Sequence, residues 1–417
     1  MRVRIDYGLE HLEIDVPDER LVQVRRQALP SRLADPVEAI RDALERPLGF
    51  PALRQALTPD DHVAVVVDEQ VSRRPEFLAP VLDHILNAHV SPEAITVLGP
   101  SSISGQGPAL PERHAGICAE VHDPQDRRHL SYLATTRGGR RLYLNRTAVD
   151  ADQLVVVARR SYDPVLGYSG SEGALYPCLS DEATLKEMLG RLSFLAPGEK
   201  PWPVRREAEE VAWLLGTPFM VQLIDGPGDH LAHVVAGVAD SGDEGIRLLN
   251  ASWRIQVDTP ADVVVAGVSG DGSRHTFADL ARAFACAAHA VKQGGRIVLL
   301  TDALPALGEG AGWLREAEDP RDALKLIHRQ LPADSAAVFQ WASAAERATI
   351  YLLSRLPSEI AEELFTVPLD EASQIQRLLK DAPAQLFLPD AHKTMAQTAR
   401  ANGRSTAAVE EPSGGTP

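Results

Sequence analysis

Short apolar runs, each closed by a polar residue and followed by helical spacing, constrain this chain more than any other feature. His62-Val63-Ala64-Val65-Val66-Val67-Asp68 does not alternate between apolar and polar residues. It therefore offers no solvent face and suits a strand buried on both sides of a parallel sheet. Asp68 then stands at the carboxyl end of a strand, where open α/β sheets bind ligands. Residues 76–89 carry Leu78, Val81, Leu82, Ile85 and Leu86 at helical spacing, and residues 94–98 return as the next strand, completing a βαβ unit. Predicted strands at 154–158 and 219–224, with helices at 181–192 and 205–215 between them, continue the alternation.

A second block repeats the pattern. Residues 262–266 read as a strand, 275–292 as a helix and 294–300 as a strand, and 335–340, 349–353 and 385–388 as further strands with helices between. Alternation in Val3, Ile5, Leu12, Ile14 and Val16 predicts an N-terminal hairpin, and an Arg/Glu-rich helix leads to Pro47-Leu48-Gly49. The expectation is a two-domain α/β protein with its functional cleft between the domains: residues 1–258, then 261–390, with the break at Asp258-Thr259-Pro260. A largely disordered tail is expected over 391–417, where Ser, Gly, Pro and Glu dominate from Ala401 onward.

A chain of 417 residues is too long for one typical core, which agrees with two domains. Its formal charge of -16 repels phosphate backbones, and no Lys/Arg block offsets it, so nucleic acid is not an expected partner. No apolar run reaches the length of a bilayer span, and Met1-Arg2-Val3-Arg4-Ile5 has no apolar signal core. A soluble cytoplasmic protein is expected, with no membrane partner. Cys118, Cys178 and Cys286 are too few and too scattered for a disulfide framework or a cysteine-rich zinc site.

The segment with the most chemical information follows the strand at 154–158 and runs S-Y-D-P-V-L-G-Y-S-G-S-E-G-A-L-Y-P-C-L-S-D-E-A-T to Thr184. It resembles the anchoring loop of the nickel-dependent lactate racemase family, in which a histidine is followed by G-[FY]-S-G-G-x-K, then P-G and a threonine-initiated helix. Further fragments keep the family's order: Pro47-Leu48-Gly49, Asp68 with Arg73-Arg74-Pro75, His122-Asp123-Pro124, residues 139–145, Asp150-Ala151-Asp152, Gly294-Gly295 and Gly308-Glu309-Gly310. The resemblance implies a racemase or epimerase of 2-hydroxy acids. Its lysine carries a nickel-pincer nucleotide covalently, and its histidines move protons.

This chain departs from the resemblance where the chemistry resides. Gly167, Tyr168, Ser169, Gly170, Pro177 and Thr184 are in register, but Asp163 replaces the histidine, Ser171 the second glycine and Gly173 the lysine. The family's G-T-H after the second strand becomes Gly99-Pro100-Ser101-Ser102. Its glutamine and lysine in the second domain become Asp279 and Arg282, three apart and so on one helix face. Glycine offers no amine, so covalent attachment at 173 is not expected. A noncovalent nickel-pincer nucleotide is the one cofactor the resemblance leaves open, its phosphate held by loop N–H groups around Ser169 and Gly170 and by Arg74. The expected ligand is a small anionic 2-hydroxy acid or a phosphate, with Asp68, Arg74, Ser169, Gly170, Asp279 and Arg282 around it. Three functions fit: a diverged racemase with reduced or no activity, a silent paralogue binding a small anion or a partner protein, and a metal-independent enzyme reusing the cleft.

Other constellations are weaker. Gly167-Tyr168-Ser169-Gly170-Ser171 nearly spells a nucleophile elbow, but Ser171 stands where the second glycine is needed. His230 and His233 have odd separation on an expected strand and point to opposite faces. His114, His122 and His129 lack a carboxylate in the same motif. Gly267-Val268-Ser269-Gly270-Asp271-Gly272 precedes a helix without dinucleotide-binding spacing. Arg73-Arg74 and Arg159-Arg160 lie at or beyond strand ends, and if they converge they suit a carboxylate or phosphate.

Overall fold

The strand Val63–Val67 is buried at all five positions. Burial on both faces is possible because helices cover both sides, as a parallel sheet requires. In this computed structural model, which describes residues 1–72, 74–100, 107–197 and 202–398, it is central to a six-stranded sheet. The order is Leu231–Gly237, Phe219–Asp225, Gln153–Arg160, Val63–Val67, Ile95–Gly99 and Cys118–Val121. All neighbours are parallel except the first pair, which is antiparallel. The sheet brings the carboxyl ends of three strands, at Val67, Arg160 and Asp225, to one edge.

A second sheet of five parallel strands runs Thr366–Pro368, Thr349–Leu353, Val291–Leu300, Ala261–Gly267 and Gln385–Leu388. Its main covering helix, Phe277–Ala290, is buried at eleven of fourteen positions, and the stacked rings of Phe277 and Trp341, 4.6 Å apart, tie it to the helix Ser335–Arg347. That second helix corrects the expected strand at 335–340. Its alanines favour helix, and it buries Ala337, Val338, Phe339, Trp341, Ala342 and Ala344, so a short window of it shows an apolar run without visible helical period.

The expected hairpin forms from Arg2–Tyr7 and Glu10–Asp15, but it packs on the second sheet. Ile5, Tyr7, Ile14 and Val16 share a core with Val263, Val265, Val298 and Leu300. Gly267 permits this approach, because a Cβ there would stand 2.4 Å from the Asp6 carbonyl oxygen. The first residues of the chain thus belong physically to the second body. A three-stranded sheet of Met395–Thr398, Arg254–Val257 and Val24–Arg26 joins distant parts of the chain. This corrects the tail expected from 391: residues 391–398 make a buried turn and a paired strand, and the Ser/Gly/Pro/Glu-rich stretch from Ala401 lies outside the described residues. No helix among the described residues is long and apolar enough to cross a membrane.

Packing of the hairpin on the second body gives a first expected outcome. Ile5→Ala should lower stability to urea by about 2–5 kcal/mol, as for a fully buried aliphatic. Amide exchange should accelerate in Ala261–Gly267 before Val63–Val67; acceleration confined to Val63–Val67 would contradict the packing.

Candidate functional site: a charged interdomain cleft

Successive side chains of a strand leave on opposite faces, and Arg159 and Arg160 at the end of Gln153–Arg160 do so with different consequences. Arg159 turns to the cleft, 3.1 Å from Asp225 and 3.4 Å from Asp279. Its backbone N–H donates to Asp68 Oδ2 at 2.5 Å, and Asp68 also accepts from the Val71 N–H at 2.7 Å. Arg160 turns inward and is 1% exposed. It donates to Gln222 Oε1 at 2.6 Å and to the carbonyls of Ser169 at 3.2 Å and Gly242 at 3.2 Å, with Glu172 3.5 Å away. Burial, partly offset by Glu172, lowers its pKa to about 10.

Asp279 joins the two domains. It sits at the start of the helix Phe277–Ala290 in a capping box with Thr276. It receives Arg282 at 2.5 Å from its own helix, and Arg159 and the Gln70 amide, at 3.3 Å, from across the cleft. Burial alone would raise its carboxyl, but Arg282 and Arg159 outweigh burial and hold it well below the ordinary carboxylate range. Asp68 goes the other way: burial pushes it up against the two N–H bonds and Arg159.

Around this bridge lies a pocket that opens to solvent. The first domain supplies Gln70, Arg74, Arg159, Asp225 and Asp229, and the second Arg274, His275, Asp279, His392 and Lys393. Arg74 donates to Glu76 at 3.0 Å and to the Asp229 carbonyl at 3.0 Å, with its guanidinium 4.0 Å from the centre of the Phe77 ring. Arg274 is the least engaged cation, half-exposed with carboxylates only at 3.7 and 3.8 Å. Lys393 is buried and donates to the carbonyls of Gly226 and Gly228.

The residues singled out in the sequence are therefore split. Arg74 and Asp279 line this cavity, Asp68 supports Arg159 from beneath it, and Arg282 and Asp163 line a second pocket with Tyr162, Phe194 and His289. Asp163 is used locally, accepting from the N–H groups of Val165 and Leu166 at 2.7 Å each. Burial raises its carboxyl, against those bonds and Arg282. Ser169 and Gly170 line neither cavity. The Ser169 hydroxyl meets Ser161 Oγ at 2.6 Å and its N–H donates to the Ser161 carbonyl at 2.9 Å, so neither is available to a phosphate. The two arginine pairs do not converge as pairs, because Arg160 points away and Arg73 lies outside the described residues, as do Ser101 and Ser102.

The sequence reading missed Arg274, His275, His392 and Lys393. A usable signal was present for the last two, since Pro389-Asp390-Ala391-His392-Lys393 directly follows the strand Gln385–Leu388, and ligands gather beyond carboxyl ends of parallel strands.

Two α/β bodies with a charged cleft between them define the class of the protein. Residues 7–191 match the lactate racemase N-terminal domain family. The chain is 21% identical to the lactate racemase of Thermoanaerobacterium thermosaccharolyticum over 350 residues, 78% of this chain and 80% of that one. It superposes on the lactate racemase apoprotein structure from that organism with a TM-score of 0.77 at 18% identity, covering 95% of this chain and 100% of the other. A Thermotoga maritima protein of known structure shares the fold with a TM-score of 0.64 at 12% identity, over 89% of this chain and all of that one. The chain thus shares its fold with lactate racemase over nearly its whole length, and residues 7–191 match that family's N-terminal domain.

The family's covalent cofactor does not fit the anchoring loop. Gly173 has no side chain, and even a Cβ there would stand 2.8 Å from Leu166 Cδ1. At Gly170 a Cβ would lie 2.5 Å from the Arg159 carbonyl oxygen. The loop is packed against its own strand. Among the described residues, no group of three or more His, Cys, Asp or Glu is placed to hold a metal ion.

These contacts set two expected outcomes. Arg159→Met should lower stability by about 3–5 kcal/mol at neutral pH because it leaves Asp225 without its cation and Asp279 with Arg282 alone, whereas Arg274→Gln should stay within about 0.5 kcal/mol; urea unfolding measures both. Because Asp279 is held below its ordinary pKa, its stabilisation is present above the unfolded carboxylate range near about 4 and is lost as pH falls below it. Acidification should therefore narrow the gap between parent and Arg159→Met, and a constant gap from pH 7 down to pH about 3 would contradict the assignment.

Proposed function

We propose that this lactate racemase-like protein binds a small carboxylate or phosphate in the interdomain cleft, carries no nickel-pincer nucleotide covalently at its anchoring loop, and has reduced or no 2-hydroxy-acid racemase activity. The observation that carries the reading is Gly173, which supplies no amine. At the family's other reactive positions Asp163 caps the turn into Val165 and Leu166, and Arg282 is committed to Asp279. Proton transfer by a positioned group contributes about 10²–10⁴-fold, so losing the histidines costs turnover even if a nucleotide binds noncovalently. Arg74 and Arg274 supply the anion-binding charge, since guanidinium groups match carboxylate and phosphate geometry. A cytoplasmic location belongs to the same reading and is supported by three free thiols.

The test is protein purified from its native host. Its intact mass should equal the sequence mass without a nucleotide adduct, and polarimetry should show lactate interconversion at least about 100-fold below that of a relative with the lysine and histidines. An adduct within residues 169–177, or comparable turnover, would refute the reading. Calorimetry with acetate and phosphate should show binding that the double change Arg74→Gln/Arg274→Gln weakens by about 10-fold or more.

A further inference from the structure

His275 and His392 face the same cavity, and neither is explained by the fold. Both are buried, 8% and 4% exposed, and Nδ1 of each has no hydrogen-bond partner. A buried donor or acceptor left unpaired costs about 1–3 kcal/mol, so two of them side by side in a polar cleft call for something to bond. Their rings meet edge to face, with centroids 5.2 Å apart. His392 also lines the second cavity and a smaller one beside Arg159 and Arg160, which puts its ring at the junction of the open spaces between the domains.

The chain holds His392 in place at some cost. Asp390 adopts a positive φ of 47°, outside the usual range for a non-glycine residue. Ser269 Oγ donates to Asp390 Oδ1 at 2.7 Å, the Ala391 N–H to the Gly267 carbonyl at 3.0 Å, and Thr394 Oγ1 to the Asp390 carbonyl at 3.1 Å. Lys393 is fastened to Gly226 and Gly228 of the first domain. The polar side chains beside it in this turn, Asp390, Lys393 and Thr394, are hydrogen-bonded, and Nδ1 of the imidazole is not.

We propose that His392, backed by His275, is the specificity-determining residue of the cleft: its free ring nitrogen accepts a hydrogen bond from a hydroxyl on the bound anion, while Arg74 and Arg274 hold the anionic group. The proposal rests on the reading that the cleft binds a small anion, and it assigns the recognition of the hydroxyl to the second domain. The charged surroundings agree with an acceptor. Burial, then Lys393 and His275, keep His392 well below its usual pKa, against Asp279, and burial lowers His275 despite Asp279 and Asp229. Both rings are then neutral at physiological pH, and a neutral imidazole carries one acceptor nitrogen.

The experiment uses a matched pair of anions, glycolate and acetate, titrated calorimetrically into the full chain. The parent should bind glycolate about 3- to 10-fold more tightly than acetate, the ratio expected of one neutral hydrogen bond. In His392→Phe, which keeps a ring but removes both nitrogens, that ratio should fall to about 1, whatever happens to the two affinities together. A second measurement on the parent covers the case in which the variant fails to fold: the imidazole nitrogen resonances of His392 should move with glycolate and not with acetate. Equal binding of both acids by the parent, a preference that survives in His392→Phe, or nitrogen resonances indifferent to glycolate would each overturn the proposal and leave the anion-binding reading standing. If neither acid binds, both fall together.

Discussion

The ion pair between Arg159 and Asp279 is the contact on which the cleft depends. One partner is the penultimate residue of a central strand of the first sheet, and the other opens the main helix of the second body. Each has a second partner, Arg159 in Asp225 and Asp279 in Arg282, so the contact links two pairs into one network whose loss would leave buried charge poorly compensated, at a cost of several kcal/mol. The pair therefore fixes how the strand ends of one domain face the helix start of the other. Arg282 and Gln70 complete the coordination of Asp279, and the open space divides around this post into one cavity with Arg74, Arg274 and the imidazoles and another with Asp163 and His289.

The neighbouring residue explains what holds the loop around Ser169 and Gly170 in its shape. Arg160 gathers the carbonyls of Ser169, Gly170 and Gly242 and stands beside Glu172. Gly245 lets the helix Asp240–Trp253 close over this network, since a Cβ there would stand 2.1 Å from Gln222 Oε1. A buried guanidinium with this many acceptors does locally what a bound cofactor does for a loop: it satisfies polar groups that would otherwise face one another or water. Gly170 meets a local packing need here, with a φ of 80° and a Cβ position 2.5 Å from the Arg159 carbonyl oxygen.

The architecture itself was legible in the sequence, and the reason is local. Val63–Val67, Ile95–Gly99 and Phe219–Asp225 announce themselves because a strand buried on both faces must be apolar at nearly every position, and the helices between them show a clean 3.6-residue period. The rule that ligands gather at carboxyl strand ends drew attention to the segments around Asp68 and Arg159, and the tertiary structure brings Arg159 to the interdomain cavity. It failed at Ser335–Arg347, where a helix buried almost all round loses the polar stripe that reveals its period. The family could also be recognised, because ordered fragments such as Gly167-Tyr168-Ser169-Gly170 persist where backbone geometry demands them.

What the sequence determined alone is the α/β class, the likeness to lactate racemase, and the absence of an amine at position 173, since these follow from residue type and spacing. Only the tertiary structure decided which charges meet. Nothing local in Arg159-Arg160 says which guanidinium reaches the cleft, because that depends on which face of the sheet the second domain covers. Nothing in the N-terminal alternation says that the hairpin packs on a sheet formed some 250 residues later. Asp390-Ala391-His392-Lys393 likewise looks like the start of a tail until the strand Met395–Thr398 pairs with Arg254–Val257. That pairing and the bonds of Lys393 to the first domain are contacts of high sequence separation, and they put a buried imidazole where the two domains meet.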